Sequence, residues 1–178
     1  MMGYRRDLWE LAASRNGVVT VAEAEEAGVP AVEVRKLAAR GALRAYGKGV
    51  YTHGEVPKTS RTEPTVAVAL AGEGAFLHRE SVLDLLGLGQ FNPAKVRVGI
   101  GRRVRRALPS WMDLERRVDI SPTDLTMYEG IPATTVRRAL QDMSNRMPPD
   151  RWQGLIDEAL QRDLIQDLDI PTLTAVAA

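Results

Sequence analysis

Between residues 4 and 53 the chain is interrupted so often that only short elements fit, and their order leaves few folds open. Leu8, Leu11 and Ala12, flanked by Trp9, have helical spacing over Tyr4 to Arg15. Asn16-Gly17 ends that helix. Val18-Val19-Thr20 favours a strand. Thr20 then stands as an N-cap, with Glu23 three residues on to close a capping box for a short helix over Val21 to Ala27. Gly28 stops it, and Pro30 suits the first position of a third helix that runs to about Arg40 and ends at Gly41. Two helices joined by a tight glycine-containing turn are the helix-turn-helix signature. Leu43 to Tyr46 and Val50 to His53, around Gly47-Lys48-Gly49, read as a β-hairpin, the wing.

The third helix divides into two faces at about 100° per residue. Ala31, Val34, Leu37, Ala38 and Gly41 fall on the side that packs on the first helix; Val32, Arg35, Lys36, Ala39 and Arg40 spread over the other. The second helix of such a motif enters the major groove by its N-terminal part. Arg35 and Lys36 are placed for guanine edges or phosphates, Val32 for a thymine methyl, and Arg40 is a further candidate DNA contact. Arg44 and Lys48 on the wing are candidates for the backbone or the minor groove. Glu33 opposes this reading unless it turns away or accepts from cytosine N4.

Charge follows the same division. Residues 1–61 hold ten Lys/Arg and seven Asp/Glu, residues 62–94 one and four, residues 95–118 eight and two, and residues 119–178 five and ten, which sum to the net +1. The two basic blocks suggest an anionic partner such as nucleic acid. Arg102, Arg103, Arg105 and Arg106 in the second block are further candidate DNA contacts. With 44% hydrophobic and 26% charged residues the 178-residue chain has an ordinary globular composition. It has no cysteine and only His53 and His78, which excludes disulfide scaffolds, cysteine zinc sites and thiol catalysis. The start carries charges where a signal peptide needs an apolar run, and no stretch approaches the ~20 apolar residues that span a bilayer. A cytoplasmic protein is expected.

Beyond the wing, Gly54 to Thr62 with Pro57 and Pro64 reads as a linker, set at residues 57–66. It divides a winged helix over residues 1–56 from a small mixed α/β domain over residues 67–178, so the fold class is α+β. Helices are expected at Glu63 to Ala71, at Ser81 to Leu86 capped by Ser81, at Val136 to Met143 capped by Thr135, and at Arg151 to Leu164. Strands are expected at Lys95 to Ile100, Glu115 to Ile120 and Thr126 to Tyr128, with a turn at Gly130-Ile131-Pro132. The apolar-rich stretch after Gln166 is left as a tail.

Enzyme chemistry finds no motif. The four Gly-x-Gly pieces, starting at Gly47, Gly72, Gly87 and Gly99, lack a third glycine or a Lys-Ser/Thr pair and read as turns. His78-Arg79-Glu80 has no second histidine, and Asp157-Glu158 and Asp167/Asp169 read as surface charge. The expectation is a non-enzyme with no cofactor and no bound metal.

Three segments in order resemble the AbiEi-type antitoxins, the transcriptional-regulator partners of bacterial abortive-infection toxin–antitoxin pairs. They are Val34-Arg35-Lys36-Leu37-Ala38-Ala39-Arg40-Gly41-Ala42-Leu43 with Gly49-Val50-Tyr51; Phe76-Leu77-His78-Arg79-Glu80-Ser81-Val82-Leu83; and Gly130-Ile131-Pro132-Ala133-Thr134-Thr135 with Arg138-Ala139-Leu140-Gln141-Asp142. The resemblance implies a winged helix that binds repeats upstream of its own operon; the symmetry of a repeated site then suggests a homodimer on the DNA. It also implies a C-terminal domain that counteracts a nucleotidyltransferase-like toxin. The other reading of the residues is a protein-interaction module without sequence-specific DNA binding.

Overall fold

The short elements form in the order their punctuation dictates. A computed structural model describes residues 3–177. The chain divides into two units, residues 1–73 and 74–178. The first contains α1 (Tyr4–Ser14), β1 (Val18–Thr20), α2 (Val21–Glu26), α3 (Ala31–Ala39), β2 (Leu43–Gly47), β3 (Val50–His53) and α4 (Thr62–Ala71). Asn16 and Gly17, with φ of 54° and 85°, reverse the chain after α1. That reversal sets Val18 opposite Thr52 in an antiparallel sheet of order β1-β3-β2. The capping box is complete: Glu23 N–H donates to Thr20 Oγ1 at 3.2 Å, and Thr20 N–H to the Glu23 carboxylate at 3.1 Å. Leu8, Ala12, Val19, Ala24, Val29, Val34 and Leu43 close one core between the three helices and the sheet. This is a winged helix-turn-helix.

The expected linker at 57–66 is displaced. α4 begins inside it and packs on the three-stranded sheet, so the first unit runs to Glu73 and not to residue 56. Thr62 fastens it: its hydroxyl donates to Asn16 C=O at 2.9 Å and accepts from Thr59 N–H at 3.0 Å. The helix expected at Glu63 to Ala71 forms one residue early, with Pro64 in its first turn, where a missing N–H costs nothing, so the linker bound at residue 66 overlaps it.

The second unit contains β4 (Phe76–Leu77), α5 (Glu80–Leu85), β5 (Val96–Ile100), β6 (Met112–Arg116), β7 (Leu125–Tyr128), β8 (Ile131–Thr134), α6 (Val136–Met143), α7 (Pro149–Gln161) and α8 (Ile170–Ala177). Its sheet has the order β6-β5-β4-β8-β7, with β5/β6 and β4/β8 parallel and the other pairs antiparallel. The unit is a small mixed α/β domain, as the sequence suggests. Leu77, Val98, Ile131, Ala133, Leu140 and Ile156 are buried in it.

Several expectations shift. Ser81 lies inside α5 and does not cap it; its hydroxyl accepts from Arg97 N–H at 2.7 Å, and Arg79, with φ of 54°, holds the cap position. The strand expected at 115–120 is β6, three residues earlier. Gly130-Ile131-Pro132 is not a turn: Glu129-Gly130, with φ of 51° and 78°, make the turn and Ile131 already starts β8. Gly99 is a strand residue, not a turn residue. A Cβ there would come 2.5 Å from the Phe76 ring, so the glycine makes room for that ring. α7 ends at Gln161 rather than Leu164, and the tail forms α8 with Leu173 fully buried.

Candidate nucleic-acid interface

The faces of α3 separate as the periodicity requires. Val34 is fully buried, Leu37 and Ala38 are half-buried, and Val32, Arg35, Lys36, Ala39 and Arg40 are exposed. Val32 is 51% exposed, a large apolar side chain offered to solvent in the first turn of α3, one turn before Arg35 and Lys36. Lys36 Nζ lies 2.7 Å from Glu33 Oε1, one helical turn back. The acid that opposes phosphate binding is thereby neutralised by its own neighbour, and Lys36 delivers less net charge than its number suggests. Arg35 and Arg40 carry the uncompensated charge of this face.

The wing is built by backbone strain at its tip. Gly47, Lys48 and Gly49 all have positive φ, at 106°, 51° and 73°. A Cβ on Gly49 would meet the Val21 side chain at 3.2 Å, so the turn seats against the start of α2. Lys48 is exposed at that tip. Arg44 is exposed and sits over the Tyr46 ring at 5.4 Å from its centroid. Lys58 approaches the same ring at 5.9 Å, with Nζ 3.2 Å from the phenolic oxygen. Tyr46 and Lys58 were not singled out in the sequence. The signal for Tyr46 was available, since Arg44 and Tyr46 are two apart on one strand and share its face. Lys58 comes to the wing only because the chain after β3 turns back.

The second basic block splits. Arg97 is engaged by Glu80 at 2.7 Å and by Asp113; Arg79 pairs with Glu115 at 2.7 Å. Arg117 is 5% exposed and binds Asp119 at 2.8 Å and Asp142 at 2.9 Å, which stabilises its charged form and holds the Asp119 carboxyl well below the usual range. Arg117 is buried and Arg97 is half-buried, and both are held by the domain's own acids, as is Arg79 from outside the block. Residues 101–111 connect the parallel strands β5 and β6. Along this connection Val104, Arg106 and Leu108 are half-buried, while Arg102, Arg103, Arg105 and Ala107 are exposed. Of the four arginines expected to contact DNA there, three face solvent and Arg106 does not fully. They belong to the second unit, whereas the α3 and wing candidates share the first.

Burial and the neighbouring arginines push His78 down to about 3, so its ring is neutral. Arg117 can only donate, so its contact at 2.9 Å makes His78 Nδ1 the acceptor and places the ring proton on Nε2. Among the described residues no group of three His, Asp or Glu side chains gathers to hold a metal ion. Asp169 lies against Arg137 and Asp157 accepts from Gln153 at 3.0 Å. No described helix is long and apolar enough to cross a membrane.

Among solved structures, the RV2827C protein from Mycobacterium tuberculosis has a similar fold, with a TM-score of 0.55 at 20% identity over 96% of this chain and 70% of that one. No curated protein matches the chain. Residues 6–52, from α1 through the wing, match the family described as "Transcriptional regulator, AbiEi antitoxin", the family that the sequence resembles.

Proposed function

We propose that the protein is a cytoplasmic DNA-binding antitoxin that represses its own operon and counteracts a nucleotidyltransferase-type toxin. The observation that carries the DNA reading is the solvent-facing side of α3, where an exposed Val32 is followed by exposed Arg35, Lys36 and Arg40 in a helix-turn-helix. Arg35 reads a base edge in the major groove and Val32 meets a thymine methyl. Lys36 and Arg40 hold phosphates, and Arg44 and Lys48 hold the backbone beside the wing. Arg102, Arg103, Arg105 and Arg106 extend the contact from the second unit. The chain is not itself an enzyme in this reading. The match of residues 6–52 to an antitoxin regulator family supports both halves of the proposal.

Fluorescence anisotropy tests it, with the DNA upstream of the protein's own operon as probe and a scrambled duplex as competitor at physiological salt. A specific site is expected to win by ~10³ or more. About six phosphate contacts give log K falling with log salt at a slope near −5. Arg35→Ala is expected to cost about 1–3 kcal/mol at the specific site only, and Lys48→Ala to weaken every sequence alike. Equal, weak binding to both duplexes would sink the repressor and leave the winged helix as a protein-binding module.

A further inference from the structure

Glu33 is the one acid on α3. It stands in the first turn of the helix, the part that enters the major groove when a helix-turn-helix docks. A carboxylate there repels phosphates, so its presence needs a reason. At about 100° per residue, Val32 and Lys36 lie about 160° around the helix from the buried Val34, one on each side of the outer midline. Glu33 and Arg35 lie about 100° from Val34 on opposite flanks. They are mirror positions. A docking that turns Val32 and Lys36 to the floor of the groove brings Glu33 as near to base edges as Arg35.

Nothing in the interior claims this acid. Its side chain is 28% exposed, and among the described residues its carboxylate has no partner but Lys36, Nζ to Oε1 at 2.7 Å. The pair leaves both groups with capacity. An ammonium has three donors, and Lys36 gives Glu33 one of them, so the others remain for a phosphate. Glu33 Oε2 remains an acceptor, its charge shielded by the adjacent cation. A carboxylate only accepts, so it sorts base edges by sign. In the major groove cytosine offers the N4 donor and no acceptor, guanine offers O6 and N7, thymine offers O4, and adenine sets N7 beside its N6 donor.

We propose that Glu33 is a specificity residue. Its free oxygen accepts from the N4–H of a cytosine beneath the first turn of α3, and Lys36 holds the carboxylate in place from one turn on. Guanine and thymine are excluded there because acceptor would meet acceptor. The acid weakens binding to every sequence by its charge and penalises the wrong base at one pair, which is how a repulsive element produces selectivity. This rests on the DNA reading of α3 and adds one C·G pair to the operator it recognises. The competing role is structural: a first-turn acid steadies a helix through its dipole, and base preference then does not depend on it.

Competition anisotropy tests it, with the DNA upstream of the protein's own operon as the parent duplex and each base pair of the bound site replaced in turn. For the native chain, one C·G pair is expected to lose about tenfold or more on replacement by G·C or T·A, and less by A·T. Glu33→Gln, whose amide both donates and accepts, is expected to move the preference at that pair from cytosine to adenine. Glu33→Ala is expected to level the preference at that pair alone and to tighten binding to a scrambled duplex several-fold, because a charge like that of the phosphates is gone. Preferences unchanged at every pair in both variants overturn the proposal and leave the acid to the helix dipole. A loss spread evenly over all pairs, the mark of a damaged α3, overturns it as well. Both results leave the DNA reading standing. A native chain that binds operator and scrambled duplex equally overturns that reading, and the role of Glu33 with it.

Discussion

His78 makes the second unit lose stability in acid well above the ordinary carboxylate range. The ring is fully buried and held neutral, its pKa pushed from 6.5 down to about 3 by burial first and then by Arg79, Arg117, Arg97 and Arg146. In the unfolded chain it takes a proton below about pH 6.5. Because the unfolded state then binds more protons than the folded one, stability is full above that pH and falls as the solution is acidified. One pH unit is worth ~1.4 kcal/mol, so acidification from pH 7 to pH 5 is expected to cost about 2 kcal/mol from this residue. The depressed carboxylates Asp119 and Asp124 act only below the ordinary carboxylate range, and Asp84, raised by burial, acts in the opposite direction, so the loss of stability between pH 7 and pH 5 belongs to the two histidines. His53, lowered chiefly by burial as well, adds in the same direction. Urea unfolding followed by tryptophan fluorescence at the two pH values measures the sum, and His78→Gln removes the share due to this ring. An unchanged slope in that variant refutes the buried neutral ring. Should the variant fail to fold, a ring-proton NMR titration of the native chain decides it: a His78 resonance that titrates near pH 6.5 refutes it equally.

The remaining predictions concern stability and the wing. Gly99→Ala forces a methyl to within 2.5 Å of the Phe76 ring and is expected to cost about 1–3 kcal/mol in chemical denaturation. Thr20→Ala removes one half of the α2 capping box and is expected to cost about 1 kcal/mol, with Thr20→Ser restoring most of it. Tyr46→Ala removes the ring that carries Arg44 and Lys58, each contact being worth ~0.5–1 kcal/mol, and is expected to lower DNA affinity several-fold in anisotropy with little change in sequence preference. Arg103→Ala with Arg105→Ala reduces the steepness of the salt dependence by about 2 if both touch phosphate; an unchanged slope removes the second unit from the DNA footprint.

The first fifty residues were legible because each boundary is set by a local rule. The Thr20/Glu23 box, the positive-φ positions at Asn16-Gly17 and the wing glycines, and the α3 periodicity all act within five residues of where they are read. The second unit was legible only where this remained true, as at Thr135, whose hydroxyl accepts from Arg138 N–H. β4 is two residues long and exists because β5 and β8 flank it, a fact no window on Phe76-Leu77 contains. Pro132 is read as a strand breaker, yet the register places it where the ladder asks for no donor. Ser81 looks like a cap, but Arg97, sixteen residues on in β5, donates its N–H to that hydroxyl.

Charge shows the same limit in the candidate site. Counted along the chain, residues 95–118 are the more basic block, with eight cations against two acids, and the first 61 residues are the weaker, with ten against seven. Folded, the order reverses in meaning. Arg97 and Arg117 are consumed by Glu80, Asp113, Asp119 and Asp142, three of them drawn from outside the block. In the first unit the acids are the ones consumed: Glu33 by Lys36, Glu23 by Arg15, Glu55 by Arg5 and Glu10 by Arg6. None of those four pairs uses Arg35, Arg40, Arg44 or Lys48. Exposed ion pairs contribute little to stability, but here they decide which cations keep their full field for a partner. The α3 face and the wing keep it with the smaller net charge, and a polyanion responds to the field at its surface rather than to the sum over the sequence.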